Sequence, residues 1–132
     1  MSEARVVEHG RGRVTIMSLG PRASHFVVEG TLGDVLADAI TAEGSQISRD
    51  GGGVALHDWS RVQSYSSSAR TRLTDWMLEH RRGFALVHIL VSSNIVAMGV
   101  NVANLALGGF LHATTDVPAF AALVERYRTS GR

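Results

Sequence analysis

Residues 83–115 of this 132-residue chain contain no Asp, Glu, Lys or Arg. An uncharged run of that length must either cross a bilayer or be hidden by a folded core. An apolar stretch of about 18–25 residues would suffice for a membrane span. This one is interrupted by Ser92, Ser93, Asn94, Asn101, Asn104 and the pair Gly108-Gly109. Ser92 and Ser93 are helix-capping types, and they divide the run into a strand at 84–91 (FALVHILV) and a helix at 94–107. The strand is too short to cross a bilayer, and neither an aromatic belt nor an adjacent basic flank supports insertion. The expectation is a soluble domain with no membrane span. Its nearly continuous apolar strand is covered on both faces, the mark of an interior position in a parallel or mixed sheet.

The rest of the chain fits one such domain. Hydrophobic residues make up 45%, charged residues 19%, and the net charge is +1, ordinary values for a globular protein. There is no Cys, which excludes disulfides, thiolate catalysis and Cys-based metal sites. The N-terminal MSEARVVEHGRGRV carries acidic residues and no apolar run of signal-peptide length, so a cytoplasmic protein is expected. All 13 basic residues are Arg, which reads as codon usage. Arg70, Arg72, Arg81 and Arg82 cluster as a phosphate-contacting face would, but Asp75 and Glu79 interleave with them. With net charge near zero, no nucleic-acid partner is expected.

Turn and periodicity signals place the elements. RVTIMSL (13–19) alternates and is closed by Gly20-Pro21, and HFVVE (25–29) is near enough to pair with it as a hairpin. Thr31 offers an N-cap to a helix with Leu32, Val35, Leu36, Ala39 and Ile40 on one face, and Gly44 is placed to end it. After Gly51-Gly52-Gly53, a loop lacking the spacing and Lys of a Walker loop, VALHDW (54–59) reads as a buried strand. One of Ser66, Ser67 and Ser68 caps a helix that shows Ala69, Leu73, Trp76, Met77 and His80 on one face, with Gly83 as its breaker. The strand 84–91 and helix 94–107 follow, then a short strand FLHA (110–113). Asp116 and Pro118 open a last helix running through Tyr127. The fold class is therefore α/β, a single domain of order β-β-α-β-α-β-α-β-α with a mixed central sheet.

The helix at 94–107 carries more apolar surface than one sheet face can use. On a helical wheel Asn94, Ala97, Asn101 and Asn104 form a narrow strip within about 80°. One flank holds Ile95, Met98, Val102, Leu105 and Ala106, the other Val96, Val100, Ala103 and Leu107. Together the flanks span roughly 220°, against the ~100° that covers a single face. A large apolar patch left in water marks an interface, so a homodimer or a partner surface is expected on one flank. Ile95 and Met98 against Val96 and Val100 are the residues between which the choice falls, and the wheel does not make it.

The segment HDWSRVQSYSSSARTRL resembles a STAS domain, the fold of bacterial anti-sigma-factor antagonists and of the cytoplasmic tails of sulfate transporters. In that family a strand ends in an Asp-Leu-Ser-Gly-Val-like segment, and an Asp-Ser-Ser-Gly opens the next helix with a Ser that a partner kinase phosphorylates. Asp58-Trp59-Ser60-Arg61-Val62 stands at the strand-end position and Ser66-Ser67-Ser68-Ala69 at the phosphosite. The chain is more specifically similar to small STAS-like proteins with an Asp-Xaa-Ser-Xaa-Val and then a Tyr-Xaa-Ser-Xaa-Ala-Arg signature. The resemblance covers about residues 13–128 and departs from the pattern in Ser66, where the family has an acidic residue, and in Ala69, where it has Gly. It implies a non-enzymatic regulatory module that acts by protein–protein contact, with Ser67 as candidate phosphosite. Asp58, Trp59, Ser66, Ser68 and Arg70 become the candidate switch or partner surface. A phosphate on Ser67 would meet free backbone N–H groups at a helix N-terminus, with Arg70 a turn further on. The plain alternative is that the serines only cap.

Other chemistry is poorly supported. His57, His88 and His112 belong to three different strands and could converge, but no HExxH, no i, i+4 His pair and no GxSxG elbow is present. His88, between apolar neighbours, reads as a core histidine. Asp34 and Asp38 read as a solvated helix face, Trp76 as core, and Trp59 as an exposed contact residue. No catalytic residue, metal or cofactor is expected. The second functional reading is a binding protein for a small apolar or lipid-like ligand held between helices and sheet, with Tyr65, Trp59 and Trp76 near it.

Overall fold

The computed structural model describes residues 4–130. Its strands and helices follow in the order β1 (Ala4–His9), β2 (Gly12–Gly20), β3 (Ala23–Leu32), α1 (Asp34–Ile47), β4 (Gly53–Tyr65), α2 (Ser67–His80), β5 (Phe84–Leu90), α3 (Asn94–Ala106), β6 (His112–Thr114) and α4 (Val117–Ser130). The spatial order in the single sheet is β1-β2-β3-β4-β5-β6. The first three strands form an antiparallel meander, and β3 through β6 run parallel because each crossover contains a helix.

Strand alternation sends the apolar residues to two cores. On one face Val14, Ile16, Phe26, Val28, Ala55, Val87 and Ile89 meet Leu36, Ala37 and Ile40 of α1, Met77 of α2, and Val96 and Val100 of α3. On the other face Leu19, Ala23, Val54, Leu56 and Leu90 meet Phe120 and Val124 of α4. The uncharged segment is thereby accounted for. β5 pairs with β4 on one side and β6 on the other, and its consecutive residues Ile89 and Leu90 are buried in different cores. No helix among the described residues is long and apolar enough to cross a membrane.

Four local expectations are corrected. An extra strand, β1, precedes the hairpin; it is an edge strand, mostly exposed, so its sequence carries little core signal. Thr31 lies inside β3, its hydroxyl 3.2 Å from that of Ser64, and α1 starts from Gly33. Gly44 does not end α1, which continues to Ile47; a Cβ there would collide with the ring of Trp76, so the glycine is the seat on which α2 packs. β4 does not stop at Trp59 but runs to Tyr65, past the polar residues that disguise it.

Candidate functional site

The C-terminal end of β4 delivers the serine triplet. Ser66 is the N-cap of α2, its Oγ accepting from the Ala69 N–H at 3.0 Å, so Ser67 is the first helical residue and is exposed. The Arg70 N–H is used by the Ser66 carbonyl at 3.1 Å. The N–H groups of Ser67 and Ser68 are left at the open, positive end of the helix. The Ser68 hydroxyl donates to Asp34 Oδ2 at 2.9 Å, and Arg72 bridges back to α1 through Asp34 at 3.6 Å and Asp38 at 3.0 Å. Asp34 and Asp38 are therefore an anchor between α1 and α2 and not merely a solvated face. Sequence spacing within α1 showed them as a pair, but the cation that joins them comes from another helix.

Asp58 is placed apart from the serines. Its Oδ1 accepts from the Ser60 N–H at 3.0 Å and the Ser60 hydroxyl at 2.6 Å. This local turn coincides with a bulge, since Val27 pairs with Asp58 but Glu29 with Arg61. Asp58-to-Val62 thus lies within β4 and not at its end. Trp59 is the second correction: it is partly buried against the main core, and its indole Nε1 has no hydrogen-bond partner, so it is not an exposed contact residue.

Tyr65 links the serine triplet to α3. Its hydroxyl donates to the Ile95 carbonyl at 3.4 Å. A Cβ on Gly99 would stand 2.5 Å from that hydroxyl, so only glycine admits the ring there. Ser93 caps α3, accepting from the Ile95 N–H at 3.2 Å. At its far end Asn104 is bonded twice to the Leu111 backbone, at 2.8 and 3.0 Å. With α3 held at both ends, the two flanks are assigned. Val96, Val100 and Leu107 are buried, whereas Ile95 is 63% exposed, Met98 64%, Val102 47% and Leu105 84%. Of the four residues expected to bracket the interface, only Ile95 and Met98 face outward; Val102 and Leu105 complete an apolar strip along the helix.

Beneath α2 and α3 lies a cavity of about 80 Å³, bounded by residues that include Trp59, Tyr65, Arg70, Val100 and Ala103. His57 is on its wall, stacked on Phe26 at 4.4 Å and edge-on to Trp59 at 5.7 Å. Burial, with a smaller push from His25, lowers the His57 pKa to about 3, so the ring is neutral. The other histidines do not join it. His88 is half-buried beside His112 at 6.1 Å and Phe120 at 6.0 Å, on the face that α4 partly covers; it is not a core histidine. Among the described residues no group of His, Asp or Glu is arranged to hold a metal ion.

No protein-family profile matches the chain, and no curated protein matches its sequence. Its fold does have relatives. An uncharacterized protein with a SpoIIAA-like fold from Shewanella loihica superimposes with a TM-score of 0.60 at 16% identity, over 93% of this chain and 93% of that one. The anti-sigma factor antagonist SpoIIAA in its unphosphorylated form gives 0.58 at 13% identity, over 94% of this chain and 98% of that one. An anti-sigma factor antagonist from Mycobacterium paratuberculosis gives 0.54 at 14%, over 95% of each. At such identities the likeness speaks for architecture alone, and it extends over more than nine-tenths of each chain: this chain has the SpoIIAA-like fold, an α/β architecture with a mixed six-stranded sheet and four helices.

Proposed function

We propose that the chain is a non-enzymatic, cytoplasmic regulatory module that works through contact with another protein, with Ser67 as its gate. The observation that carries this reading is the exposed apolar strip Ile95, Met98, Val102 and Leu105. Its four residues recur on one helix face, whereas the other exposed large hydrophobics, Val6, Val35, Leu78 and Val117, are on four other elements; a contiguous patch of this kind marks an interaction site. The strip begins where Tyr65, next to the N-cap of α2, bonds the Ile95 carbonyl, so the gate and the contact surface share one hinge point. A phosphate on Ser67 would add about −1.5 to −2 charges at a helix start that favours them, close to Arg70. It would also repel Asp34, whose carboxylate holds Ser68. Ser67, Ser66, Ser68 and Arg70 form the switch; Asp58 and Trp59 support it through the course of β4 and do not touch a partner. In the isolated protein the strip pairs with a second copy of itself.

The test is a photo-crosslinking amino acid at position 98 in living cells, with a second at Ala121 on the exposed side of α4 as control. The expected result is a discrete protein adduct at 98 and none at 121, weakened by Ser67→Asp and unchanged by Ser67→Ala. Equal labelling at both positions, or an adduct indifferent to Ser67→Asp, would overturn the contact or the gate respectively.

A further inference from the structure

The cavity beneath α2 and α3 differs from a packing defect in what lines it. Most of the wall is aliphatic or aromatic, yet His57 Nδ1 and Trp59 Nε1 are buried there without a hydrogen-bond partner. The Trp59 indole N–H can only donate, whereas His57 Nδ1 donates in one tautomer and accepts in the other. A buried donor left unsatisfied costs about 1–3 kcal/mol, so the indole calls for an occupant that accepts a hydrogen bond. Arg70 lines the same cavity and is half-buried. Its neighbour Arg72 is held by Asp34 and Asp38, whereas no carboxylate among the described residues pairs with Arg70.

We propose that this cavity is a binding site for a small carboxylic acid. A carboxylate is an acceptor with about four lone-pair positions and no donor, which suits an indole N–H, a guanidinium and an imidazole whose tautomer puts the proton on Nδ1. Neutral amides and alcohols bring donors that this set does not need. The size of the ligand follows from the volume: about 80 Å³ is near half of the ~150 Å³ cavity that takes up benzene. The body is therefore a short alkyl chain of roughly three or four carbons lying among Leu73, Val100 and Ala103. The inference does not rest on the protein contact on the outer flank of α3, and it shares only Arg70 with the proposed gate at Ser67.

Butyrate and butan-1-ol are the probes, read in the two indole N–H resonances of the full chain. Trp76 also lines the cavity, but its indole N–H is already donated to Ser45 Oγ at 3.1 Å, so its resonance is expected to shift less than that of Trp59. The expected result is a saturable, millimolar-range shift of the Trp59 indole with butyrate, and binding of the alcohol at least about tenfold weaker. Arg70→Gln should weaken butyrate by about tenfold and leave the alcohol unchanged; Ala103→Leu, which fills the cavity, should abolish both. No saturable shift would mean a cavity that holds only water, and undiminished butyrate binding in Arg70→Gln would remove the carboxylate assignment. Loss of binding in Met98→Asp but not in Ala103→Leu would move the ligand to the outer strip. Each of these outcomes overturns the proposal, and should Ala103→Leu fail to fold, Arg70→Gln decides it alone.

Discussion

His57 is the residue whose surroundings have the clearest thermodynamic consequence. Its pKa in the folded chain is about 3, chiefly through burial and secondarily through His25, against about 6.5 in an unfolded one. Between those values the unfolded chain binds a proton that the folded chain refuses, so stability rises with pH across that window and levels off above it. The slope from this residue is up to about 1.4 kcal/mol per pH unit. His25, lowered by burial and by Arg128 against the opposing pull of Asp58, and His88, lowered by burial and by His112, add with the same sign. Urea unfolding over this range should show the loss on acidification, and His57→Leu should flatten it; an equally steep profile in the variant would refute the assignment. Gly99 makes a second prediction at this scale. The Cβ of Gly99→Ala would press on the Tyr65 hydroxyl, and overpacking of this kind costs about 1–3 kcal/mol, seen as a lower melting temperature. That Tyr65 fills this seat was not legible in the sequence, where Gly99 is one small residue in an apolar run. The inward turn of Trp59 was hidden for a related reason: the bulge at Asp58–Ser60 resets the alternation of β4, and a bulge is defined by pairing with β3 and not by the strand alone.

At the scale of elements, α3 shows which part of an amphipathic pattern a sequence can carry. The wheel separated two apolar flanks, but both have the same chemistry, and only the position of α3 over β4 and β5 decides which is buried. Val100 now belongs to the core and Met98 to the surface. Val100→Asp should therefore unfold the domain, because a buried unpaired carboxylate costs several kcal/mol, whereas Met98→Asp, compared at a concentration where the wild type is monomeric, should melt within about 0.5 kcal/mol of it. Circular dichroism melts check both; equal losses would mean that α3 is buried all round. The Arg72 link between α2 and α1 is a contrasting case. Its members are largely exposed, so Arg72→Gln should cost at most about 1 kcal/mol, measured as a small shift in urea midpoint. Helix starts were legible wherever a side chain caps, as at Ser66, Ser93 and Asp116, whose Oδ1 accepts from the Ala119 N–H at 3.0 Å. They were misread at α1, which begins at a glycine with no side-chain cap.

For the whole molecule, the alternation of apolar strands with capped helices was enough to specify an α/β domain with a covered β5. The edge strand β1 was missed because an edge needs no apolar face. The cavity was legible in part: Trp59, Tyr65 and Trp76 read as neighbours of an apolar site between helices and sheet, and all three line it. Its extent was not, because its wall draws on β3, α1, β4, α2, β5 and α3 together. What the assembled domain presents is a sheet closed on one face by three helices, with the outermost flank of α3 left uncovered. That flank is the centre of the functional account, and self-association is its most direct readout. Sedimentation velocity over a concentration series should find the wild-type protein in a monomer–dimer equilibrium and the Met98→Asp variant monomeric, with the melting temperature of the monomer fold retained. A wild type that stays monomeric at the highest concentrations, or a dimer that Met98→Asp leaves intact, would contradict the account.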